Sequence, residues 1–105
     1  MTTSVFFSVI IPTFNQANLL SKALSSVLSQ SFKNYEIIVI DNFSDDNTYN
    51  IVKSFENTNL IYKKIQNNGV IAKSRNEGIK ISNGRWLAFL DSDDWWYPER
   101  LEIVS

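Results

Sequence analysis

The sequence predicts an α/β domain built on a mainly parallel sheet, and three observations carry that reading. Four short apolar runs recur along the chain, at Phe6–Ile11, Ile37–Ile40, Leu60–Ile65 and Trp86–Leu90. Between them lie segments whose apolar residues fall three and four apart, the period of a helix that buries one face. Each run also ends in a cluster of Pro, Asn, Asp or Ser, residues that stop a strand and open a loop. Strands alternating with helices mean βαβ units with right-handed crossovers, so the expected architecture is a Rossmann-like half with helices on both faces.

Taken in order, Phe6–Ile11 reads as a strand buried on both faces, closed by Pro12, which has no N–H for a sheet ladder. Asn18–Leu28 reads as an amphipathic helix, with Leu19, Leu20, Ala23, Leu24, Val27 and Leu28 as its inner face. The β-branched run Ile37–Ile40 ends at Asp41, and the polar cluster Asn42–Thr48 leads into a weaker helix over Tyr49–Phe55. Leu60–Ile65 is the third strand. After a turn at Asn67-Asn68-Gly69, a helix is expected over Ile71–Ile81, carrying Ala72 and Ile79 and closed near Asn83-Gly84. Trp86–Leu90 is the fourth strand and runs into Asp91-Ser92-Asp93-Asp94. A last helix starts after Pro98 and meets no Gly or Asn stop before Ser105, so the natural protein is expected to continue. Residues 1–105 are expected to form a single domain, truncated at its C-terminal end.

Composition excludes several classes of function. With 105 residues, 44% of them hydrophobic and 20% charged, the chain suits one small soluble domain rather than a disordered or fibrous one. A net charge of −1 without a basic run gives no long-range pull on nucleic acid or anionic lipid. The absence of Cys and His removes thiol nucleophiles, disulfides, zinc fingers and imidazole bases, leaving chemistry to carboxylates, Lys, Arg or a metal. The start, Met1 to Phe7, lacks the charged and long apolar regions of a signal peptide, and no apolar stretch approaches the length of a membrane span, so the expected location is cytoplasmic, with the inner face of the membrane as an option.

In a parallel sheet the loops after strands one, two and four leave from the carboxyl edge, where such folds bind ligands. With strand order 3-2-1-4 the switch point lies between strands one and four, placing Asn15 and Asp93 on either side of one crevice. Three carboxylates within four residues, Asp91, Asp93 and Asp94, repel one another unless a cation or donors neutralise them. Mn²⁺ or Mg²⁺ fits that need, because these hard ions take one or two carboxylates and bridge to phosphates. Asp93 can reach such a metal while Asp91 meets it or a ribose. The ordinary alternative is that Asp93 or Asp94 caps the last helix, and Ser44 or Asp45 the second. An exposed Asp41 at the edge can accept from a base imide or a ribose hydroxyl, or simply form a turn. Lys73 and Arg75 lie two apart and share no helical face, so one of them can serve a diphosphate; otherwise both are solvated charges. Trp86, Trp95 and Trp96 are read as packing.

These residues also carry a resemblance. Val9-Ile10-Ile11-Pro12-Thr13-Phe14-Asn15, Gln30-Ser31-Phe32, Tyr35–Asn42, Ser44-Asp45-Asp46 and Thr48 look like the opening of the family 2 glycosyltransferases of GT-A fold. Asn68-Gly69, Ala72–Ile79 and Gly84–Asp94 resemble that family's middle motif and its acidic DXD motif. The ordered set spans essentially the whole chain and is far more specific than one acidic triplet.

The resemblance implies an inverting hexosyltransferase that moves a sugar from a nucleotide-diphosphate donor, UDP being the family's commonest, to a saccharide or lipid-linked acceptor in cell-surface polysaccharide synthesis. It implies that Pro12, Thr13, Asn15 and Asp41 hold the nucleoside, that Lys73 and Arg75 lie by the nucleotide, and that Asp91 and Asp93 hold the ribose and the metal. The family's catalytic base lies downstream of the acidic motif, so it is expected beyond residue 105 and the chain alone is expected to transfer sugar poorly. Two departures stand out: Phe43 occupies a position where many members have Gly, and the Gly69–Arg75 interval is one residue longer. The competing reading is a non-catalytic nucleotide- or metal-binding module. An NAD-binding domain is disfavoured because no G-x-G-x-x-G follows the first strand, and a receiver domain because no carboxylate does. Association into a homo-oligomer through uncovered apolar surface is open.

Overall fold

Nine residues from Val5 to Thr13 form the central strand, β1, of a computed structural model that describes residues 4–55 and 59–105. The expected domain boundaries include residues 1–3 and 56–58, which lie outside the described residues. After β1 come α1 (Ala17–Leu28), β2 (Tyr35–Asp41), α2 (Thr48–Lys53), β3 (Leu60–Lys64), α3 (Ile71–Ile81), β4 (Gly84–Phe89) and α4 (Arg100–Val104). The four strands are all parallel, as the alternation of elements predicts, and stand in the expected order β3-β2-β1-β4.

Alternation along the strands divides the core between the two faces. Val9, Ile11, Ile37 and Val39 point to one side and pack with Leu20, Ala23, Leu24 and Val27 of α1, and with Val52, Leu90, Trp96 and Leu101. Ile10, Ile38 and Ile40 point to the other side, with Ile61, Ile65 and Ile81 around them. Residues buried on both faces read as an unbroken apolar run, which is why β1 and β2 are legible in the sequence.

Several expectations are corrected. Pro12 does not end β1: it pairs with Ile40 inside the β1–β2 ladder, which continues to Thr13 and Asp41. The Ile10 carbonyl accepts from the Leu90 N–H on the β4 side, and two residues on, Pro12 faces the same way. Its missing N–H therefore ends the β4 ladder and costs the β2 ladder nothing. In α1, Leu19 is exposed and only the rest of the predicted stripe is inward. In α3 the bounds are as predicted, and its inner face is made of small residues: Ser74 and Gly78 are buried, while Ile79 is exposed. These small residues let the helix approach β1 so closely that a Cβ on Gly78 would lie 2.6 Å from Ile10 Cγ2. Gly84 does not cap α3 but opens β4, where a Cβ would meet the Ser8 nitrogen at 2.5 Å. Among the tryptophans only Trp96 is core; Trp86 and Trp95 are exposed. α3 packs on β1 and β2, so β4 keeps Leu87 and Phe89 exposed at the sheet's edge.

Below the amino ends of the strands, the buried Glu36 carboxylate ties β1, β2 and the entry to β4 together. It accepts from Ser8 Oγ at 2.6 Å, from the Asn83 N–H at 2.6 Å and from Asn83 Nδ2 at 3.2 Å, while Ser8 Oγ accepts from the Gly84 N–H. A buried charge persists only when donors satisfy it, and here three do.

Candidate functional site

At the carboxyl edge, the end of the β4 ladder leaves a cavity of about 300 Å³ at the switch point. Pro12, Thr13, Phe14 and Gln16 line it from the β1 side, Asn67 from the turn before α3, Ile71 from the start of α3, and Asp91, Ser92 and Asp93 from the loop after β4. Thr13 is 5% exposed, and its Oγ1 has no hydrogen-bond partner among the described residues. A buried hydroxyl without a partner costs free energy, so Thr13 keeps donor and acceptor capacity unspent at the cavity wall.

The acidic loop is a turn closed by the Asp94 N–H donating to the Asp91 carbonyl at 3.0 Å. Ser92 points inward and is buried; Asp91, Asp93 and Asp94 are exposed. Neither Asp93 nor Asp94 caps α4, whose N-cap position is Glu99; Asp94 instead accepts from the Trp95 N–H. Arg75 Nη2 reaches over from α3 and donates to Asp91 Oδ1 at 3.0 Å, while its Nε has no partner among the described residues. The side chains of this pair are 39% and 57% exposed, and solvent-accessible pairs are worth about 0–1 kcal/mol, so an incoming anion or cation displaces it cheaply. Lys73 is exposed and makes no ion pair among the described residues.

The donor set suits a hard divalent ion that arrives with phosphate. The Asp93 carboxylate makes no hydrogen bond or ion pair among the described residues, and the Asp91 carboxylate is held there by Arg75 alone. No group of three or more metal-ligating side chains is assembled among the described residues, so the protein offers one or two carboxylates and not a complete cage. That is how Mg²⁺-like ions are bound when waters and substrate phosphates supply the other ligands.

The second loop differs from expectation. Asp41 is 1% exposed rather than open at the edge, because its carboxylate is covered by its own chain. Oδ1 accepts from the Ser44 N–H at 3.0 Å and Ser44 Oγ at 2.5 Å, and Oδ2 from the Tyr62 hydroxyl. Neither Ser44 nor Asp45 caps α2. Its N-cap position is Asn47, without a side-chain cap; Asp46, one residue earlier, accepts from the Thr48 N–H at 3.1 Å and the Thr48 hydroxyl, and its second oxygen accepts from the Ala17 N–H at 3.0 Å at the start of α1. Burial by itself would raise the Asp46 carboxyl, but these hydrogen bonds outweigh it and hold the group below its ordinary range.

Asn15 does not face the cavity as the strand order suggested. It sits in a left-handed conformation (φ 50°), its N–H donates to Ser44 Oγ at 2.9 Å, and its Oδ1 accepts from the Asp45 N–H at 2.7 Å. Asn15 thus joins the first loop to the second, on the side of Thr13 away from Asp93. Phe43 keeps the left-handed backbone (φ 48°) despite its side chain, and its ring lies 5.6 Å from Lys64 Nζ. The residue absent from a sequence reading is Asn67, 5% exposed: its N–H donates to Asn42 Oδ1, its Nδ2 to Ser74 Oγ, and its Oδ1 accepts from the Gly69 N–H. Its only signal was the Asn-Asn-Gly turn in which it lies. Gln16, Phe14, Ile71 and Ser92 also line the cavity without having been singled out as site residues.

Known proteins resemble this chain over most of its length. The model of the family "Glycosyl transferase family 2" matches residues 8–104. The chain is 38% identical over 96 residues to the UDP-Glc:alpha-D-GlcNAc-diphosphoundecaprenol beta-1,3-glucosyltransferase WfgD of Escherichia coli, covering 91% of this chain and 38% of WfgD. It is 40% identical over 99 residues to the poly(ribitol-phosphate) beta-N-acetylglucosaminyltransferase TarP of Staphylococcus aureus, covering 90% of this chain and 30% of TarP. The crystal structure of S. aureus TarS 1-349 in complex with UDP superposes with a TM-score of 0.90 at 36% identity, over 95% of this chain and 31% of that one. The chain therefore spans about a third of the length of these relatives. An apolar parallel sheet in the order 3-2-1-4, an acidic turn at its switch point and the family match over nearly all of its length lead to one conclusion: the chain belongs to glycosyl transferase family 2.

Proposed function

We propose that this chain forms the donor-nucleotide half of an inverting glycosyltransferase that moves a sugar from a UDP-sugar to an acceptor hydroxyl in cell-surface polysaccharide synthesis. One observation carries the reading: a single cavity is walled by Thr13 of β1 on one side and by Asp91 and Asp93 on the other, with Arg75 bonded across to Asp91. Solved complexes of the relative TarS with UDP and with UDP-GlcNAc, at 36% and 35% identity, support a uridine donor.

In this reading Pro12 and Thr13 meet the nucleoside, Thr13 with its unspent hydroxyl, and Asn15 and Asp41 brace the loop beside it. Asp91 takes the ribose and shares the metal, and Asp93 is the main metal ligand. Arg75 releases Asp91 and turns to the diphosphate, a short move for a guanidinium already at the cavity's edge, and Lys73 adds charge from the same helix. A bound Mn²⁺ or Mg²⁺ supplies Lewis-acid stabilisation of the charge that develops on the leaving diphosphate. A manganese-bearing mannosyltransferase from Pyrobaculum calidifontis shares the fold at a TM-score of 0.79 and 24% identity.

The test is calorimetric titration of the chain with UDP, with and without Mn²⁺, beside Asp93→Ala. The donor-site reading expects metal-enhanced binding that Asp93→Ala abolishes. Equal binding by both proteins, or none by a chain shown to be folded, would remove Asp93 from the metal site or UDP from the donor role.

A further inference from the structure

Gln16 occupies the N-cap position of α1 yet forms no capping hydrogen bond, and the first N–H of the helix, that of Ala17, donates to Asp46. Its side chain instead receives the Ser92 hydroxyl, 76 residues away. Among the described residues this is the one hydrogen bond that joins the loop after β1 to the acidic turn after β4, and both residues line the cavity. Ser92 lies between Asp91 and Asp93, 2% exposed. A four-residue turn closed by one backbone hydrogen bond can still rotate about its ends. Anchoring the residue at its second position removes that freedom and sets the direction of the third, Asp93. The turn is thus held by three ties of different origin: the Asp94 N–H to the Asp91 carbonyl, Arg75 to Asp91, and Ser92 to Gln16. Of these, the Arg75 tie is open to solvent and is the one the donor would break.

We propose that Gln16 is a positioning residue for the metal ligand Asp93, acting through Ser92, so that the acidic turn keeps its aim when Arg75 leaves Asp91 for the diphosphate. Both side chains are uncharged, so the latch orients the carboxylates without competing for the cation. Groups that orient metal ligands from behind are worth about 10–100-fold in metal affinity. The proposal rests on the donor-site reading above and adds a residue to it that touches neither metal nor diphosphate.

The experiment compares Gln16→Ala, Ser92→Ala, the double variant and Ser92→Thr with the parent chain. UDP affinity is measured calorimetrically across a Mn²⁺ series, and amide hydrogen exchange is followed through Asp91–Trp95. The latch predicts that each Ala variant raises the Mn²⁺ concentration at half effect about tenfold, a larger change than any in metal-free UDP affinity. It also predicts that the double variant is no worse than either single, that Ser92→Thr restores the parent value, and that exchange in the turn quickens in every Ala variant. Additive losses, an equal loss of metal-free affinity, or unchanged exchange would overturn it. If the parent itself shows no UDP binding while the Ala variants still loosen the turn non-additively and Thr restores it, the donor reading fails and the latch stands. Unchanged exchange in that case overturns the latch as well.

Discussion

The Tyr62 hydroxyl donates to Asp41 Oδ2 at 2.5 Å, joining β3 to the last residue of β2 at the sheet's carboxyl edge. Burial first, and then this bond to a carboxylate, push the Tyr62 hydroxyl's pKa well above its ordinary value of 10.0. Tyr62→Phe should lower stability by about 1–3 kcal/mol, because a buried carboxylate loses a donor. A group whose pKa is raised in the folded state contributes stability that is complete below the unfolded value. The gap between parent and Tyr62→Phe should therefore be constant up to about pH 10 and shrink above it. Urea unfolding at pH 7 to 11 measures both, and a gap that widens above pH 10 would contradict the assignment.

Asp46 serves two helix starts at once, so its loss should loosen α1 and α2 together. Asp46→Ala should cost about 1–2 kcal/mol at neutral pH, the range for losing a helix N-terminal acceptor. The depressed carboxyl contributes stability that is present above the ordinary value of 3.8 and lost as pH falls through the lower folded value. Parent and variant should converge in strong acid when thermal midpoints are measured below pH 4.

Gly78→Ala tests the close approach of α3. The new Cβ would meet Ile10 Cγ2, which is stiff because Ile is β-branched and sits on the central strand. A gain of about 1 kcal/mol in helix propensity is outweighed by overpacking, which costs about 1–3 kcal/mol, and the helix must shift as a body. Adding Ile10→Ala to Gly78→Ala should destabilise by less than the sum of the two singles, as residues in contact do in a double-mutant cycle.

Because no complete metal cage is assembled among the described residues, Mn²⁺ should bind the chain weakly by itself and more tightly with UDP present. Coupling between sites is typically 5-fold to about 150-fold, and the same factor must appear in UDP affinity with and without Mn²⁺. Manganese relaxation enhancement gives one side of the cycle and calorimetry the other. Tight Mn²⁺ binding without nucleotide would show that the chain supplies more ligands than Asp91 and Asp93.

Periodicity and strand-ending residues were enough to read the order of elements and the bounds of α3, because each follows from local pattern, whereas the sheet order was an assumption of the Rossmann-like frame. Directions of side chains in the loops were not. Asp41 reads as an open carboxylate only until Ser44 and Tyr62 fold over it, and Tyr62 arrives from 21 positions away. Asn15 reads as a neighbour of Asp93 until its left-handed backbone turns it towards Asp45. Asp91 and Asp93 are where the sequence placed them, at the edge of a cavity, since a strand's end fixes the start of its loop. Gln16 and Asn67 are ordinary polar residues in isolation, and only tertiary partners reveal what they hold. The small inner face of α3 was hidden for a related reason: Ser and Gly mark a close contact only when the opposing residue is known.

The missing amide hydrogen of Pro12 has a consequence for the size of the opening. Two parallel strands that share a ladder keep zipping for as long as each rung finds its donor, and the distance between their ends is then that of a sheet, too narrow for a nucleoside. At residue 12 the donor for the next rung is absent on the β4 side alone, so β1 and β4 part there while β1 and β2 run on together. One imino acid thus acts as the stop of a zipper, and the width of the mouth is set by covalent chemistry rather than by the balance of the residues around it.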